Sequence, residues 1–431
     1  MKSAAAPPTF EVFDLPGDCR LVLNTNVKMK TVSVLVWFLG NLEEASVTPN
    51  SLLPSVLRRG TRSFPDMQAI SRHLEGLYGT TVNSSVRKIG EWHVVRFRLE
   101  VVNEIFVPGE TEILRRGLEF LRELLHEPHR VAGGFQPDCV EQEKKNLERS
   151  IASLVDNKGA YAEHRMFEEM CREEPFRLLQ SGRIEDIPAI DPTSLWDYYE
   201  GWRDRRPVHV YVAGDIDLTA TRDLVEEVFT SAFSGRAGGY VLSPEPADVP
   251  APSAPREVVE RLEVNQAKLV LGFRHGIHHT DSLYEALLVM NGVLGGFSHS
   301  KLFQNVREKA SLAYSVHSGL ERTKGILVIS AGIGPGQYEK ALEIILEQVE
   351  QMKAGEITDE EIQATVSTLI NSNNMLEDAL PSLCEVHFVW GIHGRTLDLE
   401  AFRKRLLAVS RDDIVEAARR LQHDTTYLLT S

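Results

Sequence analysis

The chain has 431 residues, of which 42% are hydrophobic and 25% are charged, as in ordinary globular proteins. Its 47 basic and 62 acidic residues give a formal net charge of −15. An acidic surface argues against nucleic acid or an anionic membrane as the main partner. Because this length exceeds what one simple core accommodates, we expect two domains.

The distribution of cysteines and of apolar residues indicates the cellular compartment of the protein. The four cysteines are scattered and include no C-x-x-C pair, which is typical of buried thiols in a reducing compartment. We find no run of about 18 apolar residues for a transmembrane helix. The first residues lack the long apolar core of a signal peptide. We therefore expect a cytoplasmic protein.

In chain order, the first half predicts strands followed by long helices. Period-two and continuous apolar runs predict strands, and apolar residues at helical spacing predict helices. The predicted strands are 21–23, 31–38, 80–86, 92–101 and 207–213, and the predicted helices are 50–57, 65–78, 110–125, 137–155, 158–171, 191–202 and 218–233.

Residues 234–255 are rich in Gly, Pro, Ala and Ser. This composition predicts a semi-extended linker between domains. The second half then begins again with a strand. Its predicted strands are 267–273, 312–318, 326–331 and 425–430, and its predicted helices are 282–294, 335–352, 358–376, 381–390, 399–407 and 410–421.

The two halves have the same order of elements. The matching pairs are strands 31–38 and 267–273, hairpins 80–101 and 312–331, helices 110–125 and 335–352, and strands 207–213 and 425–430. We therefore predict an α+β fold made of two homologous domains, 1–233 and 256–431. Each should have one antiparallel-rich β-sheet with helices packed on one face.

The most informative stretch is 295–316. Gly295 and Gly296 interrupt a helical pattern and free the backbone. A short helical pattern, a turn and a strand pattern follow. Tyr314 is the seventh residue after Arg307, across the turn, so the strand can fold back beside the helix end. A guanidinium and a phenol held together there suit a carbonyl oxygen or a carboxylate.

This stretch resembles the second half of the pitrilysin–insulinase superfamily, the inverzincin peptidases. The resemblance extends over nearly the whole chain and includes the strand-turn 211–217. It implies two similar halves that face each other across a cavity. It also implies that Arg307 and Tyr314 contact the substrate and the developing oxyanion, with Gly295 and Gly296 beside the substrate. On the residues alone, Arg307 pairs with a nearby carboxylate and Tyr314 fills a sheet face.

The zinc motif of an active inverzincin is missing. That motif is H-x-x-E-H, in which two imidazoles bind zinc and the glutamate acts as general base. The expected helix, 50–57, contains neither histidine nor a carboxylate. The third ligand is expected on the helix 141–151, where the sequence reads Glu148-Arg149-Ser150-Ile151. Because Glu148 alone cannot hold zinc, we predict no metal site in this chain.

Two histidine groups are alternative metal sites. His126 and His129 flank Glu127, but Pro128 and the i, i+3 spacing argue against a helical ligand pair. The run 275–279 contains three histidines close to Asp281 and lies in a predicted turn. Neither pattern predicts a physiological metal centre.

The combination resembles the zinc-less subunit of the two-chain branch of the superfamily, typified by the mitochondrial processing peptidase. The runs 143–146 and 305–314 resemble the bacterial YmfF-type subfamily. The resemblance implies a non-catalytic subunit that supplies Arg307 and Tyr314, and half of the peptide chamber, to a zinc-bearing H-x-x-E-H paralogue. Zinc is then expected in the partner and a peptide as the substrate.

Three alternatives stay open. The chain is an inert structural or peptide-binding scaffold, like the core proteins of the respiratory bc complex; it pairs with a second copy of itself; or it hydrolyses peptides alone, which requires stoichiometric zinc. The sequence does not decide whether the chain has any activity by itself.

Overall fold

A computed structural model describes residues 10–244, 249–334 and 336–431. The strands in these ranges are β1 (Phe10–Leu15), β2 (Cys19–Thr25), β3 (Thr31–Asn41), β4 (Thr81–Ile89), β5 (Trp92–Val102), β6 (Val208–Gly214), β7 (Arg256–Arg261), β8 (Ala267–Arg274), β9 (Ala313–Glu321), β10 (Ile326–Ile333) and β11 (Gln422–Thr430). The α-helices are α1 (Glu44–Leu57), α2 (Met67–Gly76), α3 (Ile113–His126), α4 (Pro137–Ala152), α5 (Lys158–Met170), α6 (Pro192–Arg205), α7 (Leu218–Ser234), α8 (Tyr284–Asn291), α9 (Tyr338–Ala354), α10 (Asp359–Leu376), α11 (Leu380–Ile392), α12 (Leu399–Ala408) and α13 (Arg411–Arg419).

The chain divides into two compact units that exchange segments. Unit 1 comprises the described residues up to Ala152 with Leu178–Ser243 and Leu380–Cys384, and unit 2 comprises the described residues of Ser153–Arg177, Pro244–Ala379 and Glu385–Ser431. Helix α5 thus belongs to unit 2, although it lies in the N-terminal half of the sequence. The domain boundaries 1–233 and 256–431 stay predictions.

Each unit contains one sheet, and the two sheets have equivalent strand orders. The order in unit 1 is β1-β2-β6-β3-β5-β4, and the order in unit 2 is β7-β11-β8-β10-β9. Each sheet contains one parallel pair, in which its last strand along the chain pairs with an early one, β6 with β2 and β11 with β7. The remaining pairs are antiparallel. The predicted α+β fold with a duplicated, antiparallel-rich sheet is confirmed.

The helices cover one face of each sheet, as predicted. In unit 1, apolar residues of α1, α3, α6 and α7 pack against β2, β3, β5 and β6. In unit 2, residues of α8, α9 and α13 pack against β8, β9 and β10. Because β3 lies in the middle of its sheet, nine of its eleven residues are buried, which explains its continuous apolar sequence.

Helix α5 adds a layer that the sequence did not predict, on the other face of the second sheet. Met166 and Met170 of α5 pack against Val270 and Tyr427 there. Gly272 makes this approach possible, because a Cβ at that position would lie 2.6 Å from Sδ of Met170. The second sheet is therefore covered on both faces where α5 crosses it.

A buried charge network fastens the segment after α5 to the sheet of unit 2. Arg274 donates from Nη2 to Oε1 of Glu174 at 2.6 Å and from Nε to Oδ2 of Asp424 at 2.8 Å. Lys324 donates to the second carboxylate oxygen of Glu174. All four side chains are at least 90% buried. The two cations and two carboxylates balance, which is the condition for burying charge at tolerable cost.

Two strands and the linker differ from the predictions. The sequence did not predict β1 or β7, and in β7 exposed residues alternate with partly buried ones, of which Val258 is the only apolar one. Residues 245–248 of the predicted linker, and the Pro335 start of a predicted helix, lie outside the described residues. The first part of the linker is fastened to unit 1, since Ser243 donates its N–H to Oδ1 of Asn41 and Trp92 donates from Nε1 to the Ser243 carbonyl, both at 2.8 Å. In the described part of the chain, no helix is both long enough and apolar enough to span a bilayer.

Candidate functional site

The stretch 292–314 in unit 2 has an irregular backbone. After α8 the chain forms a π-helical segment at Gly292–Gly296, and a second one follows at Phe303–Lys309. π-Helical turns are rare and recur at functional sites. The sequence predicted the first as the end of an ordinary helix, because a five-residue hydrogen-bond spacing has no signature in residue type.

The two glycines have packing roles in this structure. A Cβ on Gly295 would lie 2.6 Å from Oγ of Ser318 and 2.7 Å from a methyl group of Leu302. Gly295 therefore lets the π-helical segment press against β9. A Cβ on Gly296 would meet Asn291 at 3.1 Å, which is also tight. Their predicted contact with substrate stays a prediction.

Arg307 lies in the second π-helical segment and is partly exposed. Its guanidinium carbon is 4.5 Å from the centre of the Phe303 ring. Its Nε lies 3.6 Å from Oε1 of Glu308, and the two side chains are 43% and 53% exposed. An exposed ion pair of this length contributes little stability, so the guanidinium is available to another anion at small cost.

A left-handed residue joins the π-helical segment to β9. Ser311 has φ +52°, a conformation that costs a non-glycine residue about 1 kcal/mol. The turn is closed by the Leu312 N–H, which donates to the Val306 carbonyl at 3.1 Å. It reverses the chain and starts β9 directly beside the segment that carries Arg307.

Tyr314 is the extra residue of a β-bulge. Across β9 and β10, Ala313 pairs with Ile333 and Ser315 pairs with Gly332, so Tyr314 has no partner residue. Ala313 is buried in the core of unit 2, whereas Tyr314 and Ser315 are both exposed, and Tyr314 is 77% exposed. Bulges re-aim side chains and are common beside active sites.

The structure brings Arg307 and Tyr314 onto adjoining elements without joining them. In the described part of the chain, no hydrogen bond links the guanidinium to the phenol. Together they offer a cation and a neutral hydroxyl donor on the surface of unit 2, a combination suited to a substrate carbonyl or carboxylate. Neither the bulge nor the left-handed Ser311 was predicted, since no Gly, Asn or Asp marks the positions.

The residues of unit 1 do not fit a zinc ion. Helix α1 contains no histidine and carries Pro49 and Pro54 in its interior. Beyond its end, Arg59 donates from Nε to Oε1 of Glu143 on α4 at 2.5 Å. Glu143 is buried, and its carboxylate is paired with the Arg59 guanidinium.

A buried polar network holds the middle of α1. Oδ1 of Asn50 accepts from Nη1 of Arg206 at 2.8 Å and from Nε1 of Trp202 at 3.0 Å. Its amide nitrogen lies 2.8 Å from Nδ1 of His93. Burial lowers the pKa of His93 to about 4, so the imidazole is neutral at pH 7. These bonds satisfy the buried amide without a metal.

The two histidine groups weighed as alternative metal sites, around His126 and His279, have aromatic rings as neighbours. Burial, reinforced by the nearby Arg203, lowers the pKa of His126 to about 3, and its ring contacts Phe233 edge-on. The ring of His279 stacks on His393, with centroids 4.5 Å apart. Among residues 10–244, 249–334 and 336–431, no three or more His, Cys, Asp or Glu side chains are grouped so as to hold a metal.

Comparisons with known proteins agree with this picture. Residues 189–369 match the family model described as "Peptidase M16 inactive domain". The chain is 37% identical over 402 residues to the "Probable inactive metalloprotease YmfF" of Bacillus subtilis (strain 168), covering 93% of each chain. It is 33% identical over 185 residues to the "Uncharacterized zinc protease YmxG" of the same organism, covering 42% of this chain and 43% of that one. A crystal structure of a conserved protein from Enterococcus faecalis V583 superposes with a TM-score of 0.89 at 27% identity, over 98% of both chains.

Proposed function

The chain belongs to the M16 peptidase family, and from this membership and the site geometry we propose that it is a zinc-less subunit of a two-chain peptidase. It supplies Arg307 and Tyr314, and half of the peptide chamber, to a zinc-bearing H-x-x-E-H paralogue. The residues that the structure describes suit no zinc ion, and in this proposal the chain does not hydrolyse peptides alone.

The observation that carries the proposal is the strained, irregular backbone from Phe303 to Tyr314. A π-helical segment, a left-handed serine and a bulge occur within twelve residues. A subunit with a purely structural role gains nothing from this arrangement, which leaves a tyrosine 77% exposed. Local strain of this kind clusters at functional sites.

Each side chain has a defined task in this proposal. The Tyr314 hydroxyl donates a hydrogen bond to the oxygen of the scissile carbonyl as negative charge develops on it. The Arg307 guanidinium leaves Glu308 and binds a neighbouring carbonyl or carboxylate of the peptide, which fixes the register. The zinc of the partner subunit supplies an activated water.

The partner is proposed on chemical grounds. A chain that keeps the oxyanion donors and lacks metal ligands needs the ligands from elsewhere, and a paralogue of the same fold is the simplest source. The organism of the inactive relative also has a similar chain that is named an uncharacterized zinc protease. A second copy of the present chain supplies no zinc site and therefore makes no active pair.

The test is a reconstitution. The chain and its zinc-bearing paralogue from the same organism are purified separately, and cleavage of a fluorogenic peptide library is measured for each alone and for the mixture. We expect co-elution in size-exclusion chromatography and cleavage that depends on both chains. Equal cleavage by the paralogue with and without this chain contradicts the proposal.

A scaffold is the second candidate. The hydrogen-bonded network around Asn50 favours it, because it stabilises α1 with no catalytic group. A scaffold binds the paralogue or a peptide, and the rate of cleavage is then insensitive to Arg307 and Tyr314. The reconstitution separates the two candidates when it is repeated with variants at these positions.

A further inference from the structure

Beside Tyr314, three neighbouring strands place a row of residues on one face of the sheet of unit 2. Ser315 of β9 pairs with Gly332 of β10, and Gly332 pairs with Lys268 of β8. Val316, which follows Ser315, Ala267, which precedes Lys268, and Ile333, which follows Gly332, belong to the helix-covered core. Because side chains alternate along a strand, Ser315 and Lys268 point to the opposite face.

Polar atoms gather over the glycine of this row. Lys268 donates from Nζ to Oε1 of Gln266 at 2.6 Å, and Gln266 donates from Nε2 to the Gly332 carbonyl at 3.3 Å. A Cβ on Gly332 would lie 2.6 Å from Oε1 of Gln266 and 3.1 Å from Oγ of Ser315. Because Gly332 has no side chain, the Gln266 amide lies over it, between the Ser315 hydroxyl and the Lys268 ammonium.

The ammonium of Lys268 has no counter-ion in the described part of the chain. The side chain is half-buried, and burial lowers its pKa. Removing an unpaired ammonium from water is costly. A ligand carboxylate that pairs with Lys268 offsets this cost, and the ion pair favours binding. Gln266 and Lys268 line a cavity of 670 Å³ that is large enough for such a ligand. Lys158, Asp156 and Glu263 also line it, and neither carboxylate is within ion-pair distance of Lys268.

We propose that Lys268, oriented by Gln266 and assisted by Ser315, binds the carboxylate of an aspartate or glutamate side chain in the peptide whose scissile bond lies at Arg307 and Tyr314. Lys268 is then a specificity-determining residue, and the preferred substrates are acidic near the cleavage site. The identification of the ligand as a peptide rests on the proposed function, whereas the carboxylate site itself does not.

The carboxylate site is tested on the intact chain alone. Lysine acylation by a water-soluble acetyl ester is followed by mass spectrometry in the presence of N-acetyl-glutamate amide or N-acetyl-glutamine amide. A bound carboxylate holds the proton on Lys268, so we expect the glutamate probe to slow acylation of Lys268 several-fold and the glutamine probe to have no effect. Lys158, in the same cavity, is the internal control. Equal acylation rates of Lys268 with both probes overturn the proposal.

Specificity is tested in the reconstituted pair, with matched peptides that contain Asp or Asn at one position. A charge-assisted hydrogen bond predicts an about 10-fold higher kcat/KM for the Asp peptide. We expect Lys268→Met to remove this preference and to leave kcat/KM for the Asn peptide unchanged. Lys268→Arg should keep the preference for the Asp peptide, and so should the control variant Lys158→Met. If Lys268 has only a structural role, Lys268→Met lowers kcat/KM equally for both peptides. If the glutamate probe protects Lys268 from acylation but the reconstituted pair cleaves no peptide, the carboxylate site stands and the proposed function is rejected.

Discussion

Arg59, just beyond the end of α1, donates from Nε to Oε1 of Glu143 on α4 at 2.5 Å. The two side chains are only 26% and 11% exposed. In an active inverzincin, the equivalent helices are the ones expected to carry the zinc ligands. Here an ion pair joins α4 to Arg59, two residues past the end of α1.

The first prediction concerns this pair. Glu143→Gln leaves the Arg59 guanidinium poorly paired in a half-buried position, and we expect a loss of about 1–3 kcal/mol in the free energy of unfolding, measured by urea denaturation at pH 7. Glu141→Gln is the control, because Glu141 is 55% exposed and pairs with Lys144 at the surface. If Glu143→Gln lowers the free energy of unfolding no more than Glu141→Gln does, the Arg59–Glu143 pair does not stabilise the fold.

The second prediction is a pH dependence from the buried network of unit 2. Burial raises the pKa of Glu174, but hydrogen bonds from Arg274 and Lys324 outweigh it and leave that pKa below the ordinary value. Because the folded pKa lies below the unfolded one, the stabilisation is present above the unfolded pKa and is lost as the pH falls through the folded value.

Glu174→Gln should therefore lower the free energy of unfolding by about 3–5 kcal/mol at pH 7, since it leaves buried cations unpaired. The difference from the wild type should shrink below about pH 4. Urea titrations at pH 7 and at pH values down to 3 measure both effects, with the exposed neighbour Glu173→Gln as control. A difference that is independent of pH speaks against an ionised Glu174.

The third prediction addresses the left-handed turn before β9. Ser311 has φ +52°, a region that β-branched residues avoid most strongly. Ser311→Val should lower the midpoint of thermal unfolding and reduce the free energy of unfolding by about 1–2 kcal/mol. Ser311→Gly should not, because glycine adopts this conformation freely. If both variants unfold at the same temperature, the turn is not left-handed in solution.

The fold was predictable because its signals are local. Helix caps are an example: the capping boxes at Thr358 and Ser410 start α10 and α13 where the sequence placed them. Periodicity gave the central strands and their duplication. Strand β7 was missed because its sequence, Arg-Glu-Val-Val-Glu-Arg, lacks an alternation of apolar and polar residues and follows directly on a proline-rich run. The assignment of α5 to unit 2 depends on long-range packing that no local pattern encodes.

The site was predictable in its residues and not in its geometry. Spacing and resemblance singled out Arg307 and Tyr314. The bulge at Tyr314 results from the pairing of β9 with β10, and the row from Ser315 to Lys268 results from the register of three strands. Because both depend on residues far apart in sequence, they could be found only in the folded chain.

The turnover number of the reconstituted pair with Arg307→Ala or Tyr314→Phe is the most direct measure of the central claim, that this chain provides oxyanion and substrate contacts. Loss of one such donor should lower kcat by about 10²–10³-fold, with the amount of complex unchanged in size-exclusion chromatography. Tyr78→Phe is the control, because Tyr78 is a half-exposed tyrosine of unit 1. If the double variant Arg307→Ala/Tyr314→Phe cleaves peptides as fast as the wild-type pair, the claim is contradicted.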